Sequence, residues 1–238
     1  MSNKRIMFKK GMKDGMPVCI GYLAVSFTLG IVARKAGISP VPATIMSLTN
    51  LTSAGEFAAI SLIAGGAAYI ELALTQLIIN LRYMLMSCAL SQKVDPNLPL
   101  RHRLLIGVGI TDEIFGLAIT RQDLLSPSYF YGIMAVAVPG WTLGTAFGAY
   151  LGGLLPTSVL TALSVALYGM FISIIIPAAK ENKIILGLEI ISMGASYAFS
   201  VIPGLKSLSE GLRITILTAA IAGIAAVMFP RKEEPEDA

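Results

Sequence analysis

Eight apolar runs follow one another along the chain, at 16–33, 41–67, 69–90, 104–119, 128–153, 157–179, 184–202 and 212–229, with short polar connections between them. Each is close to the 17–25 residues that a bilayer-crossing helix needs. The pattern predicts an all-α polytopic membrane protein of about six to eight hydrophobic segments. Three of the runs are interrupted by polar residues. In the second, Thr52-Ser53-Ala54-Gly55-Glu56-Phe57 puts a carboxylate and a glycine midway along the apolar stretch. In the third, at 100° per residue, Glu71, Thr75 and Arg82 share one helical face, while Gln76, Asn80, Tyr83 and Ser87 share another. A helix with two polar faces suits a central position beside a cavity. In the fourth, Thr111-Asp112-Glu113 sets two adjacent acids within the run.

Composition sharpens the class. The chain is 55% hydrophobic and 13% charged, against about 25% charged in a soluble domain. No run of polar sequence is long enough for a separate soluble domain, so residues 1–238 read as a single transmembrane domain. Lys4, Arg5, Lys9, Lys10 and Lys13 precede the first run as they would in a signal peptide. That run is longer than a signal's apolar region and ends in Arg34-Lys35 without a cleavage site, so it reads as a true span. The basic residues are scattered over the connections, which reflects topology and excludes nucleic-acid binding. Cys19 and Cys88 have no ligand spacing and read as packing residues, and His102 stands alone. No HExxH, GxSxG, Walker lysine or zinc-spaced cysteine set is present, so neither a cofactor nor a metal is expected, and no enzyme.

A shift of 114 positions aligns Phe27-Thr28-Leu29-Gly30 with Trp141-Thr142-Leu143-Gly144, Pro42 with Pro156, Gly55-Glu56-Phe57 with Gly169-Met170-Phe171, and Tyr83 with Tyr197. Weak symmetry of this kind marks duplicated transporter halves, here units of about 15–120 and 128–230. If runs 41–67 and 157–179 are re-entrant and the N-terminus is cytoplasmic, twelve Lys and Arg lie inside and five outside. If all eight runs cross, the counts are ten and seven. The positive-inside rule favours the re-entrant arrangement, in which the second unit is inverted and some helices are broken. Trp141 reads as an interface anchor, Pro139-Gly140 as the opening of the fifth helix, and Gly144, Gly148, Gly152 and Gly153 as a close-packing ladder.

An acid at membrane depth is costly and usually functional. Glu56 is therefore either a salt-bridged structural residue or a substrate or proton site on a broken helix. Arg82 either snorkels to the cytoplasmic end or pairs with an intramembrane acid or a substrate carboxylate. One of Asp112 and Glu113 is free to pair with Arg82 or cap a helix, leaving the other for a proton or cation.

The stretches SLTNLTSAGEF (47–57), NLRY (80–83), TDEIF (111–115), GWTLGT (140–145) and YGMF (168–171) occur in the order of the AzlC-type family, which the chain resembles over roughly residues 12–230. This family forms the large subunit of branched-chain amino acid permeases. Its glycine motif commonly ends in Gln-Phe, where this chain has Glu56-Phe57. The resemblance implies inner-membrane export of valine-like amino acids together with a short hydrophobic AzlD-like subunit. In the resulting expectation the substrate ammonium meets Glu56, helped by Asp112 or Glu113 beside Thr111. Its carboxylate meets Asn80, Arg82 or a half-helix N-terminus at Ser53-Gly55 or Gly169, and its aliphatic side chain meets Phe57 and Phe171. The rival readings are an intramembrane enzyme using Asp112 or Glu113, and a channel or structural subunit.

Overall fold

The computed structural model describes residues 3–121, 123–154, 156, 158, 172, 176, 179, 180, 182–205 and 208–229. Among these the chain forms ten helices and no strand: α1 (Asn3–Lys35), α2 (Pro40–Thr49), α3 (Ser53–Ala64), α4 (Tyr69–Ile79), α5 (Leu81–Ser91), α6 (Leu100–Val108), α7 (Asp112–Ile119), α8 (Pro127–Leu151), α9 (Lys183–Val201) and α10 (Glu210–Met228). Among the described residues, helices α1, α8, α9 and α10 are long and apolar enough to cross a membrane, and α4 and α5, bent by 43° at Asn80, are apolar enough together for a broken span or a re-entrant loop. The run 157–179, with Gly169 and Phe171, lies largely outside the described residues.

Helices α1 and α8 form the spine, and glycine explains why they can. A methyl group at Gly132 would run into the Phe8 carbonyl, one at Gly144 into Ser26, and one at Gly148 into the Phe27 carbonyl. On α1, Gly11 meets Tyr129 and Gly30 meets Thr145 in the same way. With no Cβ at these places the two backbones touch along most of their length, the arrangement that small residues give membrane helices. The 144–152 ladder is thus a packing face, as its spacing predicts, and it continues back to Gly132.

The pairs Gly11–Gly132, Cys19–Gly140 and Phe27–Gly148 advance together along both helices, so α1 and α8 run parallel. The inverted arrangement sets these two spans antiparallel. The first spans of the two units, as drawn by the 114-residue shift, therefore point the same way. Pro127 opens α8 at its first turn, where its missing N–H costs nothing. Pro139 and Gly140 sit inside α8 rather than at its start.

Runs 41–67, 69–90 and 104–119 are each broken near the middle: α2 from α3 at 50–52, α4 from α5 at Asn80, and α6 from α7 at 109–111. The last break extends the polar TDE motif back to Gly109. At the level of the α8 N-terminus several ends meet. Lys93 Nζ donates to the Arg121 carbonyl at 2.6 Å, and Leu125 N donates to the Lys93 carbonyl at 2.7 Å. The Arg121 guanidinium lies 4.9 Å from the Tyr129 ring centre, and the Tyr129 hydroxyl donates to Asp14 at 2.9 Å. His102, in the first turn of α6, bonds Tyr131 at 2.8 Å. The twelve-to-five count places Arg121 opposite the basic N-terminus and Lys93, whereas the fold puts it beside both.

Candidate functional site

Two of the three breaks expose a new helix N-terminus inside the protein, and each is capped by threonine. The Thr52 side chain accepts from Gly55 N at 3.4 Å at the start of α3, and Thr111 accepts from Ile114 N at 3.3 Å at the start of α7. A hydroxyl acceptor on a first-turn N–H is what an interior helix end needs, since water is not there to satisfy it. The acids follow directly: Glu56 in the first turn of α3, Asp112 and Glu113 in the first turn of α7.

Glu56 is completely enclosed, with no exposed surface. Ser47 Oγ, from α2, reaches its Oε1, and Trp141 Nε1, from α8, donates to its Oε2 at 3.0 Å. Ser47 Oγ also lies 2.6 Å from Thr145 Oγ1. Ser47 and Thr145 are equally inaccessible. Among the described residues no charged side chain pairs with Glu56. Beside this group Gln76 Nε2 donates to the Gly55 carbonyl at 2.7 Å, Thr52 Oγ1 donates to Asn80 Oδ1 at 3.1 Å, and Asn80 Nδ2 donates to Gln76 Oε1 at 3.2 Å. The lack of a side chain at Gly55 lets Gln76 and Asn80 close on the start of α3. This ties the α4–α5 break to the α2–α3 break.

The second cluster forms around α7. Arg82 on α5 pairs with Asp112 at 2.8 Å, both side chains remaining about two-fifths exposed. Glu113 is exposed, yet its Oε2 accepts from the Tyr22 hydroxyl at 2.6 Å. That hydroxyl also lies 2.6 Å from Thr111 Oγ1. Tyr22 has one hydrogen. A carboxylate can only accept, so Tyr22 donates to Glu113 and receives the Thr111 hydrogen. Tyr22 then packs edge-on against Trp141, centroids 5.3 Å apart, an arrangement worth about 0.5–1.5 kcal/mol beyond burial. A continuous chain of side chains therefore runs from Glu113 through Tyr22 and Trp141 to Glu56.

Of the expected site residues, Gly55, Glu56 and Asn80 come together around the α3 start, with Ser53 at its first position and Phe57 half-buried against the core. Arg82, Thr111, Asp112 and Glu113 come together around the α7 start. Gly169 and Phe171 are outside the described residues. The expectation omits Tyr22, Ser47, Gln76 and Thr145, and it reads Trp141 as an interface anchor. Trp141 is instead buried beneath α1. Its neighbours Gly140, Gly144 and Gly148 carry the signal that finds it, because a tryptophan next to a four-residue glycine ladder faces the partner helix rather than the headgroups. Among the described residues no group of three potential metal ligands gathers.

A helical membrane protein with two capped half-helices, one of them carrying an enclosed acid, is the class this geometry defines. The chain matches the AzlC protein family over residues 17–155, more than half its length, and belongs to that family. It is 29% identical over 184 residues to an uncharacterized membrane protein of Archaeoglobus fulgidus, covering 76% of this chain and 80% of that one. It is 28% identical over 183 residues to the inner membrane protein YgaZ of Escherichia coli K12, covering 74% and 75%. An uncharacterized membrane protein of Helicobacter pylori is 25% identical over 153 residues, covering 61% of this chain and 66% of that one. No solved structure matches. The family match contains every residue of the two clusters.

Proposed function

We propose that the chain is a carrier subunit that moves small amino acids across the inner membrane, with export of valine-like substrates as its specific task. The observation that carries this reading is the pair of threonine-capped half-helices, α3 and α7, whose first turns converge on Tyr22 and Trp141. Transporters place substrate at such discontinuous helices, because half-helix ends supply partial charges where water is absent. A zwitterion shedding water needs both of its poles met. The ammonium is assigned to Asp112 and Glu113, which remain reachable, and to Glu56 once Ser47 and Trp141 release it. The carboxylate is assigned to Asn80, Arg82 and the α3 start at Ser53-Gly55, with Phe57 against the aliphatic part. The family resemblance assigns Gly169 and Phe171 to the same site. It also supplies the expectation of a short hydrophobic AzlD-like partner.

In this reading α2–α3 and α6–α7 are re-entrant hairpins entering from opposite faces. The support for α6–α7 is that His102 at its beginning and Arg121 at its end both lie at the α8 N-terminus. The support for α2–α3 is that Pro40 and Val41 border Phe147 and Tyr150 near the other end of α8, while Ser47 and Glu56 meet Trp141 and Thr145 in its middle. Moving Arg121 to the side of Lys93, with run 157–179 read as a full crossing instead of a re-entrant one, gives thirteen basic residues inside and four outside, a stronger bias than either count from sequence. The N-terminus is accordingly cytoplasmic. The relative named as an inner membrane protein supports the same membrane.

The test is flux of labelled valine into liposomes carrying the chain alone and the chain with its partner. Saturable, competable flux that needs the partner is expected. Non-saturating flux would leave the channel reading, and full flux from the single chain would remove the partner.

A further inference from the structure

We infer that Glu56 is a reversible proton-binding site, with Ser47 and Thr145 as the hydroxyl pair that adjusts to each state. The inference deepens the carrier reading, on which it rests only for the use made of the proton. Its first support is enclosure: Glu56, Ser47 and Thr145 have no exposed surface, and Trp141 closes the fourth side.

The second support is the absence of a compensating cation among the described groups packed around it. Helix α2 carries no charged residue, and neither does α8. Helix α1 has none between Asp14 and Arg34, and its Tyr22 donates to Glu113. On α4 the acid is Glu71, which lies against Gly211 of α10, one turn from Thr75. On α10 Arg213 is the basic residue, and its Nε has no partner. Arg82 on α5 is committed to Asp112. No ion pair fixes Glu56 in one state, and Ser47 Oγ can meet either the O–H of a neutral carboxyl or the lone pair of a carboxylate.

The third support is the hydrogen inventory. Ser47 Oγ lies between Glu56 Oε1 and Thr145 Oγ1 but has one hydrogen. With Glu56 neutral, its O–H donates to Ser47 and Ser47 donates to Thr145. On release the Oε1–H bond breaks, its electron pair stays on the carboxylate, and the proton goes to water admitted when the site opens. Ser47 then turns its hydrogen to Oε1 and Thr145 turns its hydrogen to Ser47. In each closed state the heavy atoms stand where they are and Trp141 donates to Oε2. Rotating two hydroxyls satisfies both charge states, so movement is needed only to admit the water.

Infrared spectroscopy of the full chain in lipid nanodiscs reads the proton without reading transport. Wild type is expected to show a neutral-carboxyl C=O band that shifts in D2O and bleaches at alkaline pH, with that component lost in Glu56→Gln. Absence of the band in wild type, or an identical band in Glu56→Gln, overturns the inference. If Glu56→Gln does not fold, Trp141→Phe takes its place: losing the indole N–H from Oε2 is expected to move the band to higher frequency, and an unmoved band overturns the inference. Because Trp141 is the single tryptophan, its emission is also expected to titrate with the same midpoint as the band. Valine flux, measured separately, distinguishes failure of the carrier reading from failure of the proton site.

Discussion

Tyr22 on α1 meets Trp141 on α8 edge to face, ring planes at 73°, so one phenol touches the indole with its ring and Glu113 with its hydroxyl. The contact joins the two acid clusters across the α1–α8 seam. Tyr22→Phe keeps the ring and removes the hydroxyl that Thr111 and Glu113 share. Loss of a bond to a charged group costs about 1.5–3 kcal/mol, to be read as lowered thermal stability in detergent with Trp141 emission unchanged. Tyr22→Ala is expected to shift that emission as well. Wild-type stability in Tyr22→Phe would show that the hydroxyl bonds do not form.

The α1–α8 spine gives a contrast between glycines. Gly148→Ala and Gly132→Ala push a methyl group against a carbonyl of α1, and overpacking of this kind costs about 1–3 kcal/mol. Gly187→Ala and Gly223→Ala meet open space and should be neutral or stabilising by up to about 1 kcal/mol, the difference in helix propensity. Thermal melts of the four variants decide the matter. Equal effects would refute backbone contact.

Topology is open to labelling in a chain whose Cys19 and Cys88 are replaced. Asn97→Cys and Asp123→Cys are expected to react from the cytoplasmic side, and Ser39→Cys from the opposite side. Asp123→Cys reacting from outside would break the α6–α7 hairpin and return that segment to a full crossing.

Arg82 and Asp112 lie half in solvent, where ion pairs contribute about 0–1 kcal/mol. Arg82→Ala and Asp112→Asn should therefore melt within a degree or two of wild type while substrate flux falls at least tenfold. A large loss of stability with flux per folded molecule preserved would make the pair structural. The charge-swapped double variant separates the two roles again, since it restores the pair but reverses the charges a substrate meets.

Much of the architecture could be read from the chain because lipid imposes it. Apart from 157–179, which lies largely outside the described residues, the apolar runs became helices, three of them broken in two, and the glycine ladder became a helix contact. The break beside Glu56 was legible because a glycine and an acid interrupt the apolar run, whereas at Thr111 the sequence offered only that an acid of the TDE motif could cap a helix. The break at Asn80 was not legible: NLRY contains neither glycine nor proline, and the bond that holds Asn80 from outside its own helices comes from Thr52, 28 residues away. Trp141 was misplaced because composition cannot tell a buried indole from one at the headgroups. Tyr22 sits in ordinary apolar surroundings and Ser47 at the head of the SLTNLTSAGEF stretch, and only the fold brings them to Glu113 and Glu56.

The parallel seam between α1 and α8 also sets an order of events during synthesis. Asp14 and Tyr129, bonded in the finished protein, are separated by 115 residues. At about 5–20 residues per second, α1 waits roughly 6–23 s for its neighbour to leave the ribosome. Through that interval its glycine face and the Tyr22 ring stand without the surfaces they pack on. The insertion machinery or surrounding lipid must shelter them until α8 arrives, so slowing translation between the two helices should lower the yield of folded protein more than slowing it after α8.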